Sequence, residues 1–365
     1  MVSISTVRTH NAQLVRDQPL VAVFMGGTAG IGEHTIRALA ATHAEHGKKE
    51  LRVFIVGRNK DAGMKIAADC KGLCPSGYFH FVQAKDLSLL RDVDRVCEEI
   101  TGILEGKEGD GMGVDGEWNG KKPWIDLLVM TQGVLTFSRN ESKEGLDSTF
   151  SLMYYSRMRC ITALLPLLTA SPIAARVISV LNPKLHGNMM PEDLSLRTHS
   201  LLRYASSHVC YMTTFFMEKI AKSHPGKIAL FHIYPGIVMT DMLDHGTLPK
   251  CFVWLWRYGV GPAMKFWETE GGECGERILW LTSGRFTPRN QIEDAKDGDH
   301  RLGGEVAKAV DGTMGGGVYN VGSVGETFPT PKLYGKFKKD GVDEIVWNHT
   351  MEAFRVIEGG GVFTG

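Results

Sequence analysis

Two kinds of segment alternate along the chain. LVAVFM (20–25), LRVFIV (51–56), YFHFV (78–82), IDLLVM (125–130), ARVISV (175–180) and KIALFHIY (227–234) are short, apolar and rich in β-branched residues. They hardly alternate with polar positions, which is how strands buried on both faces read. Between them, the apolar positions of 31–45, 60–71, 87–104, 145–169 and 201–223 recur at helical spacing. Strand alternating with helix predicts an α/β, Rossmann-like, doubly wound parallel sheet covered on both sides. A further short strand candidate, GVYNV around Val318, sits in a glycine-rich segment at 302–323.

Three segments break this rhythm. Residues 105–123 are rich in glycine and charge and read as a surface loop inserted before the fourth strand. Residues 183–200 contain two prolines and no clear period, a second insertion. Residues 241–267 are dense in large apolar side chains, among them Phe252, Trp254, Trp256, Tyr258 and Trp267. The pattern divides the chain into an N-terminal arm (1–19), a nucleotide-binding domain (20–240), an apolar lid region (241–300) and a C-terminal extension (301–365) packing on the same domain. No internal repeat is present.

Composition narrows the partners. With 43% hydrophobic and 22% charged residues over 365 positions, the chain can bury a full core. Lysine plus arginine equals aspartate plus glutamate at 41 each, and no basic run with interleaved aromatics tracks a phosphate backbone, so nucleic acid is not expected as a partner. Seven scattered cysteines suit reduced thiols in a cytoplasmic protein, and Cys70 and Cys74 lack a second pair at zinc spacing, so no metal is expected. The N-terminus lacks an unbroken apolar run of the secretory kind, and no stretch of 18 apolar residues points to a membrane span.

The clearest chemistry follows the first strand. Gly26-Gly27-Thr28-Ala29-Gly30-Ile31-Gly32 leads directly into a helical pattern. Glycines there permit a tight turn and let backbone N–H groups approach a pyrophosphate at the positive end of the helix. Arg58, just past the second strand, stands where an acidic residue would accept the ribose hydroxyls of NAD; an arginine suits the 2′-phosphate of NADP(H), with Lys60 in support. Asp86, after the third strand, is placed either to hydrogen-bond the adenine amino group or to cap the following helix.

From about residue 20 to 240 these motifs resemble the short-chain dehydrogenase/reductase family. GGTAGIG matches its glycine loop, KDLS its adenine-site Asp86 and neighbouring Leu87, and MTQG its segment after the fourth strand, with Gln132 and Gly133. Pro235-Gly236-Ile237-Val238-Met239-Thr240 resembles the turn that meets the nicotinamide end, which implies cofactor roles for Pro235, Gly236, Val238 and Thr240. GERILWLTSGR (275–285) and DEIVWNHTMEAFRVI (343–357) resemble a divergent fungal branch associated with secondary metabolism.

The resemblance also locates a catalytic tetrad, and there the chain departs from it. The family pairs a proton-donating tyrosine with a lysine four residues on; here YASSH supplies Tyr204 and then His208. Histidine can hydrogen-bond a ribose, but an imidazole of ordinary pKa, about 6.5, is largely uncharged at neutral pH. Leu181 and Asn182 stand where serines belong, and Met153 where an asparagine belongs. Ser179, His186 and His232 are polar neighbours that read as structural.

Two functions follow. The first is an NADP(H)-dependent oxidoreductase, a carbonyl reductase or alcohol dehydrogenase acting on a bulky apolar natural product, with Tyr204 moving the proton and Asn182 and His208 positioning substrate and ribose. The second is the same fold turned to a non-redox step, a cyclisation, isomerisation or dehydration, which the altered tetrad accommodates. The apolar stretch at 239–267 suits a large hydrophobic ligand, or simply packs on the body of the fold. The family commonly pairs through the helices that correspond to 145–169 and 201–223, which implies a homo-oligomer.

Overall fold

The computed structural model describes residues 2–106, 122–134, 138–185, 187–239, 254, 258–259, 268–290 and 305–365. Among them, seven parallel strands form one sheet: β1 (Leu20–Met25), β2 (Leu51–Gly57), β3 (Tyr78–Gln83), β4 (Leu127–Met130), β5 (Ala175–Val180), β6 (Ile228–Ile233) and β7 (Val318–Val321). Their order is β3-β2-β1-β4-β5-β6-β7. Every residue of β1, β2, β4, β5, β6 and β7 is buried, which is why these runs lack polar alternation. β3 lies at the edge and is only half-buried. The GVYNV candidate supplies β7, paired to β6 with Leu230 opposite Val318.

The chain winds outward from β1 through β2 to β3, then crosses back to place β4 on the other side of β1. That reversal opens a crevice at the carboxyl ends of β1 and β4, the usual ligand position in such sheets.

Helices cover both faces. α2 (Gly30–His46) and α3 (Lys60–Leu73) lie on one, joined by α1 (Ile4–Asp17) and α8 (Gly271–Trp280). The N-terminal arm is therefore a helix: Ser3 Oγ accepts the N–H of Thr6, Val7, Leu14 and Val15 are buried, and Asn11 Nδ2 donates to the Glu276 carbonyl at 2.9 Å. The opposite face carries α4 (Leu90–Leu104), α5 (Ser148–Phe150), a π-helical turn (Ser151–Tyr155), α6 (Ser156–Thr169) and α7 (Leu201–Ser223).

The C-terminal helices α9 (Lys332–Lys339) and α10 (Val342–Glu358) pack on this second face. Val346, Ala353, Phe354 and Ile357 of α10 join its core, Trp347 stacks on Phe216 of α7 with centroids 4.9 Å apart, and Thr350 hydrogen-bonds Tyr154 at 2.7 Å. The chain's own C-terminal segment thus covers part of the outer surface of the helices at 145–169 and 201–223. Residues 107–121 of the first insertion and most of the apolar stretch 241–267 lie outside the described residues.

Candidate active site

The glycine loop builds its cradle by close approach. Gly26 has φ +89°, a conformation that side chains resist, and a Cβ on Gly32 would sit 2.5 Å from the Gly26 carbonyl and 2.8 Å from Thr131 Oγ1. Thr131 Oγ1 itself donates to the Gly26 carbonyl at 3.0 Å, tying the loop to the end of β4. α2 begins with Ala29 as its N-cap and no side chain capping it, so the positive end of the helix dipole is left for a ligand rather than for a serine or aspartate.

The adenosine side is set by β2 and β3. A Cβ on Gly57 would lie 2.4 Å from Thr28 Oγ1, so the loop lies against the end of β2, and the next residue, Arg58, is exposed with Lys60 close by in sequence. Asp86 is half-buried; its Oδ1 accepts the N–H of Ser88 at 2.9 Å. It does not cap α4. Glu144 does that, accepting from the N–H groups of Leu90 and Arg91, while Asp92 accepts from those of Lys85 and Asp86. Leu87 is a core residue.

At the carboxyl ends of β4 and β5 lies a residue that the sequence reading passed over. Arg157, at the start of α6, is fully buried. Its Nη1 donates to the carbonyls of Met130 (3.0 Å) and Val180 (2.9 Å) and to Ser179 Oγ (2.9 Å), its Nη2 to the Gln132 carbonyl (2.6 Å) and its Nε to the Leu152 carbonyl (3.0 Å). Burial pushes the guanidinium down to about 9. The fork fastens the two strand ends that floor the crevice, and the Leu152 carbonyl it uses belongs to the π-helical turn. The signal was legible: Arg157 falls on the apolar stripe with Tyr154, Ile161 and Leu164. Above it, Gln132 is buried with its Oε1 unpartnered among the described residues, a polar atom at the crevice that a ligand's N–H would satisfy.

Asn182 follows β5 and is half-buried. Its Oδ1 accepts the N–H of Lys184 at 3.0 Å, and its carbonyl accepts Cys210 Sγ at 3.1 Å. Lys184 is held over the rings of Phe328 (4.2 Å) and Tyr234 (5.1 Å). Pro235, Gly236 (φ +87°) and Val238 follow β6 at the same end of the sheet; Thr240 and His186 lie outside the described residues.

Tyr204 lies in the first turn of α7, half-buried, with the guanidinium of Arg203 5.3 Å from its ring centre. His208, one turn on, is completely buried. Its Nε2 accepts the N–H of Met190 at 2.9 Å, its ring meets Phe150 at 6.4 Å, and burial pushes it down to about 4. His208, expected in the lysine's place beside a ribose, is buried here with Nε2 engaged by Met190 of the 183–200 insertion and Nδ1 without a partner among the described residues. That insertion is ordered by its own apolar residues, Met189, Leu194 and Leu196, all buried.

No family model matches the sequence. The curated "Oxidoreductase AN1596" of Emericella nidulans is 35% identical over 352 residues, 96% of this chain and 97% of the relative. "Short-chain dehydrogenase/reductase SAT2" of Stachybotrys chartarum is 32% identical over 356 residues, 96% of each. The chain belongs to the short-chain dehydrogenase/reductase family. Among solved structures, the Pseudomonas aeruginosa RhlG/NADP active-site complex superposes with a TM-score of 0.51 at 20% identity, covering 85% of this chain and 97% of that one, which supports the fold.

In this short-chain dehydrogenase/reductase, Tyr204 is half-buried and packs against the core beneath α4, α6 and α7. Met153, which the resemblance aligns with the family's asparagine, lies on the π-helical turn with its side chain packed against the core. Leu181 also packs there, leaving Asn182 as the hydrogen-bonding side chain at that strand end.

Proposed function

We propose that the protein is an NADP(H)-dependent carbonyl reductase or alcohol dehydrogenase for a bulky apolar natural product. The observation that carries the reading is the cradle at β1 and α2: glycines with no room for a Cβ, an N-terminus with no side-chain cap and a buried, unpartnered Gln132 Oε1 beside it. Exposed Arg58 at the end of β2 favours a 2′-phosphate. The apolar residues of 241–267 favour a large hydrophobic substrate. The buried cysteines, six among the described residues and none paired, suit a cytoplasmic protein. Among the described residues no helix is long and apolar enough to cross a membrane.

The residues that would hold the cofactor are Gly26, Thr28, Ala29, Gly30, Ile31 and Gly32 at the pyrophosphate, Arg58 at the ribose phosphate, Asp86 and Leu87 at the adenine, and Gln132, Gly133, Pro235, Gly236, Val238 and Thr240 toward the nicotinamide. Bound there, a reduced nicotinamide supplies hydride. Tyr204 donates the proton to the substrate oxygen, Asn182 orients that oxygen, and Arg157 holds the strand ends in register beneath both.

The burial of His208 favours a second reading, in which the fold carries out a non-redox isomerisation, cyclisation or dehydration with Tyr204 as acid or base. Steady-state turnover of a panel of apolar ketones, followed by nicotinamide absorbance in the wild type and in Tyr204→Phe, separates the two. The first reading expects absorbance to fall with product and Tyr204→Phe to lose turnover while still binding NADPH. Product at constant absorbance would replace it with the second.

A further inference from the structure

The structure leaves Tyr204 without the lysine that its family places beside it, and the 183–200 insertion brings another group there. Asp193 and His199 both belong to that insertion. The Nδ1 of His199 lies 2.9 Å from Asp193 Oδ2, and the imidazole stands perpendicular to the Tyr204 phenol, at 88° with centroids 6.0 Å apart. We propose that Asp193 and His199 form a carboxylate–imidazole pair that serves as the electrostatic partner of Tyr204, the role that residue 208 does not fill. The proposal rests on the reading of Tyr204 as the proton donor.

Asp193 is fixed independently of the histidine ring. It accepts from the N–H groups of Arg197 (2.7 Å), Thr198 (2.9 Å) and His199 (2.8 Å) and from Thr198 Oγ1 (2.7 Å). Burial works against its charge, but the bonds from Thr198, His199 and the backbone outweigh it and hold the carboxyl well below the usual range. A carboxylate at Nδ1 selects the tautomer with the proton on that nitrogen. The ring is also 36% exposed, so it exchanges protons with solvent.

Other charged and titratable groups face the same region, and Arg203 acts on the same ring. The insertion contributes Glu192 and Arg197, and Arg197 Nη2 is committed to the carbonyls of Gly145 and Phe363. On α7, Arg203 adds a cation at the Tyr204 ring and His208 is neutral. From the π-helical turn and α10 come Tyr155 and His349, hydrogen-bonded to each other at 2.7 Å, with His349 pushed down to about 4 by burial. In the reductive direction the substrate carbon takes hydride from the reduced nicotinamide, and its oxygen takes the phenolic proton. Tyr204 is left as tyrosinate until solvent returns a proton, and a protonated His199 stabilises that anion. His199 is therefore a positioning residue, acting through Tyr204.

The test is carbon-13 NMR of labelled tyrosine in the full chain without cofactor, with Tyr204→Phe assigning the resonance, followed by kcat against pH. In His199→Gln, Tyr204 should ionise at higher pH, kcat should fall roughly 10- to 100-fold, the pH profile should lose one ionisation, and NADPH affinity should stay within about twofold. His199→Lys should recover part of the loss. A folded His199→Gln in which the Tyr204 ionisation does not move overturns the proposal. If His199→Gln does not fold, nitrogen-15 spectra of the wild-type imidazole decide: a proton on Nδ1 supports the pair, and a ring protonated on Nε2 alone overturns it. Normal turnover by Tyr204→Phe, with the ionisation shift intact, would remove Tyr204 as the acid while leaving the pair in place.

Discussion

The backbone N–H of Met190 donates to Nε2 of His208 across 2.9 Å, joining the second insertion to the middle of α7. The contact needs a neutral imidazole, because a protonated ring has no acceptor to offer. Burial agrees, pushing His208 down to about 4, below the ordinary imidazole value of about 6.5 in an unfolded chain. Between those values the unfolded chain binds the extra proton, so stability from this group is full above about pH 6.5 and is lost as pH falls toward 4. His349, also pushed down to about 4 by burial, acts in the same direction. Urea unfolding should show up to about 3 kcal/mol less stability from His208 at pH 4 than at pH 7. His208→Gln, which keeps an acceptor but does not titrate, should flatten part of that slope.

Replacing His208 with lysine should not restore the family's arrangement. An ammonium at a site with no exposure loses the acceptor for Met190 and gains a desolvation cost, so His208→Lys should destabilise the fold by about 3 kcal/mol or more. A denaturant midpoint equal to wild type would show that the insertion lifts away easily.

Arg157→Met should be costly for a different reason. Methionine fills the volume and removes a buried charge, which offsets part of the loss, but it strands the carbonyls of Met130, Gln132 and Val180. The expected loss is about 2–4 kcal/mol, and Arg157→Lys should recover little of it because a point charge cannot serve the fork. Equilibrium unfolding of both variants checks this.

The nucleotide cradle offers two substitutions with separate readouts. Gly32→Ala drives a methyl against the Gly26 carbonyl and should reduce NADPH binding roughly tenfold or more. Arg58→Ala should lower affinity for NADPH about 10- to 100-fold and leave NADH nearly unchanged, because only the 2′-phosphate loses its partner. Isothermal titration with both nucleotides measures each.

The C-terminal helix α10 gives a prediction about assembly. Phe354 is buried in the core shared with α4, α6 and α7, and Arg159 lies 5.4 Å from its ring centre. Phe354→Ala should cost about 3–5 kcal/mol. Because α10 already covers part of the α6–α7 surface, pairing through the whole of that surface is not expected, and sedimentation of wild type and Phe354→Ala measures whether copies pair and whether α10 controls it.

The fold was legible because most of these parallel strands are buried on both faces and so are written as mainly apolar runs: all six of the long ones, the half-buried edge strand β3 included, and the short GVYNV became strands. The glycine loop was legible because its geometry admits little else. The surroundings of Tyr204 were not, because they depend on how residues far apart in sequence meet. His208 sits one helical turn from Tyr204, and only the path of the insertion shows that its nitrogen faces Met190. Asp193 and His199 fall in an insertion without clear period, and only the fold brings the His199 ring against the tyrosine. Arg157 carried a signal, a charge on an apolar helix stripe, but its partners are strand-end carbonyls that no spacing reveals.

The central claim is that hydride moves in this site. The most direct test is to supply NADPH deuterated at the transferring position, with an apolar ketone that the enzyme turns over, and to examine the product by mass spectrometry. One deuterium on the former carbonyl carbon is expected for each nicotinamide oxidised. Product without deuterium, formed while the nicotinamide stays reduced, would contradict it.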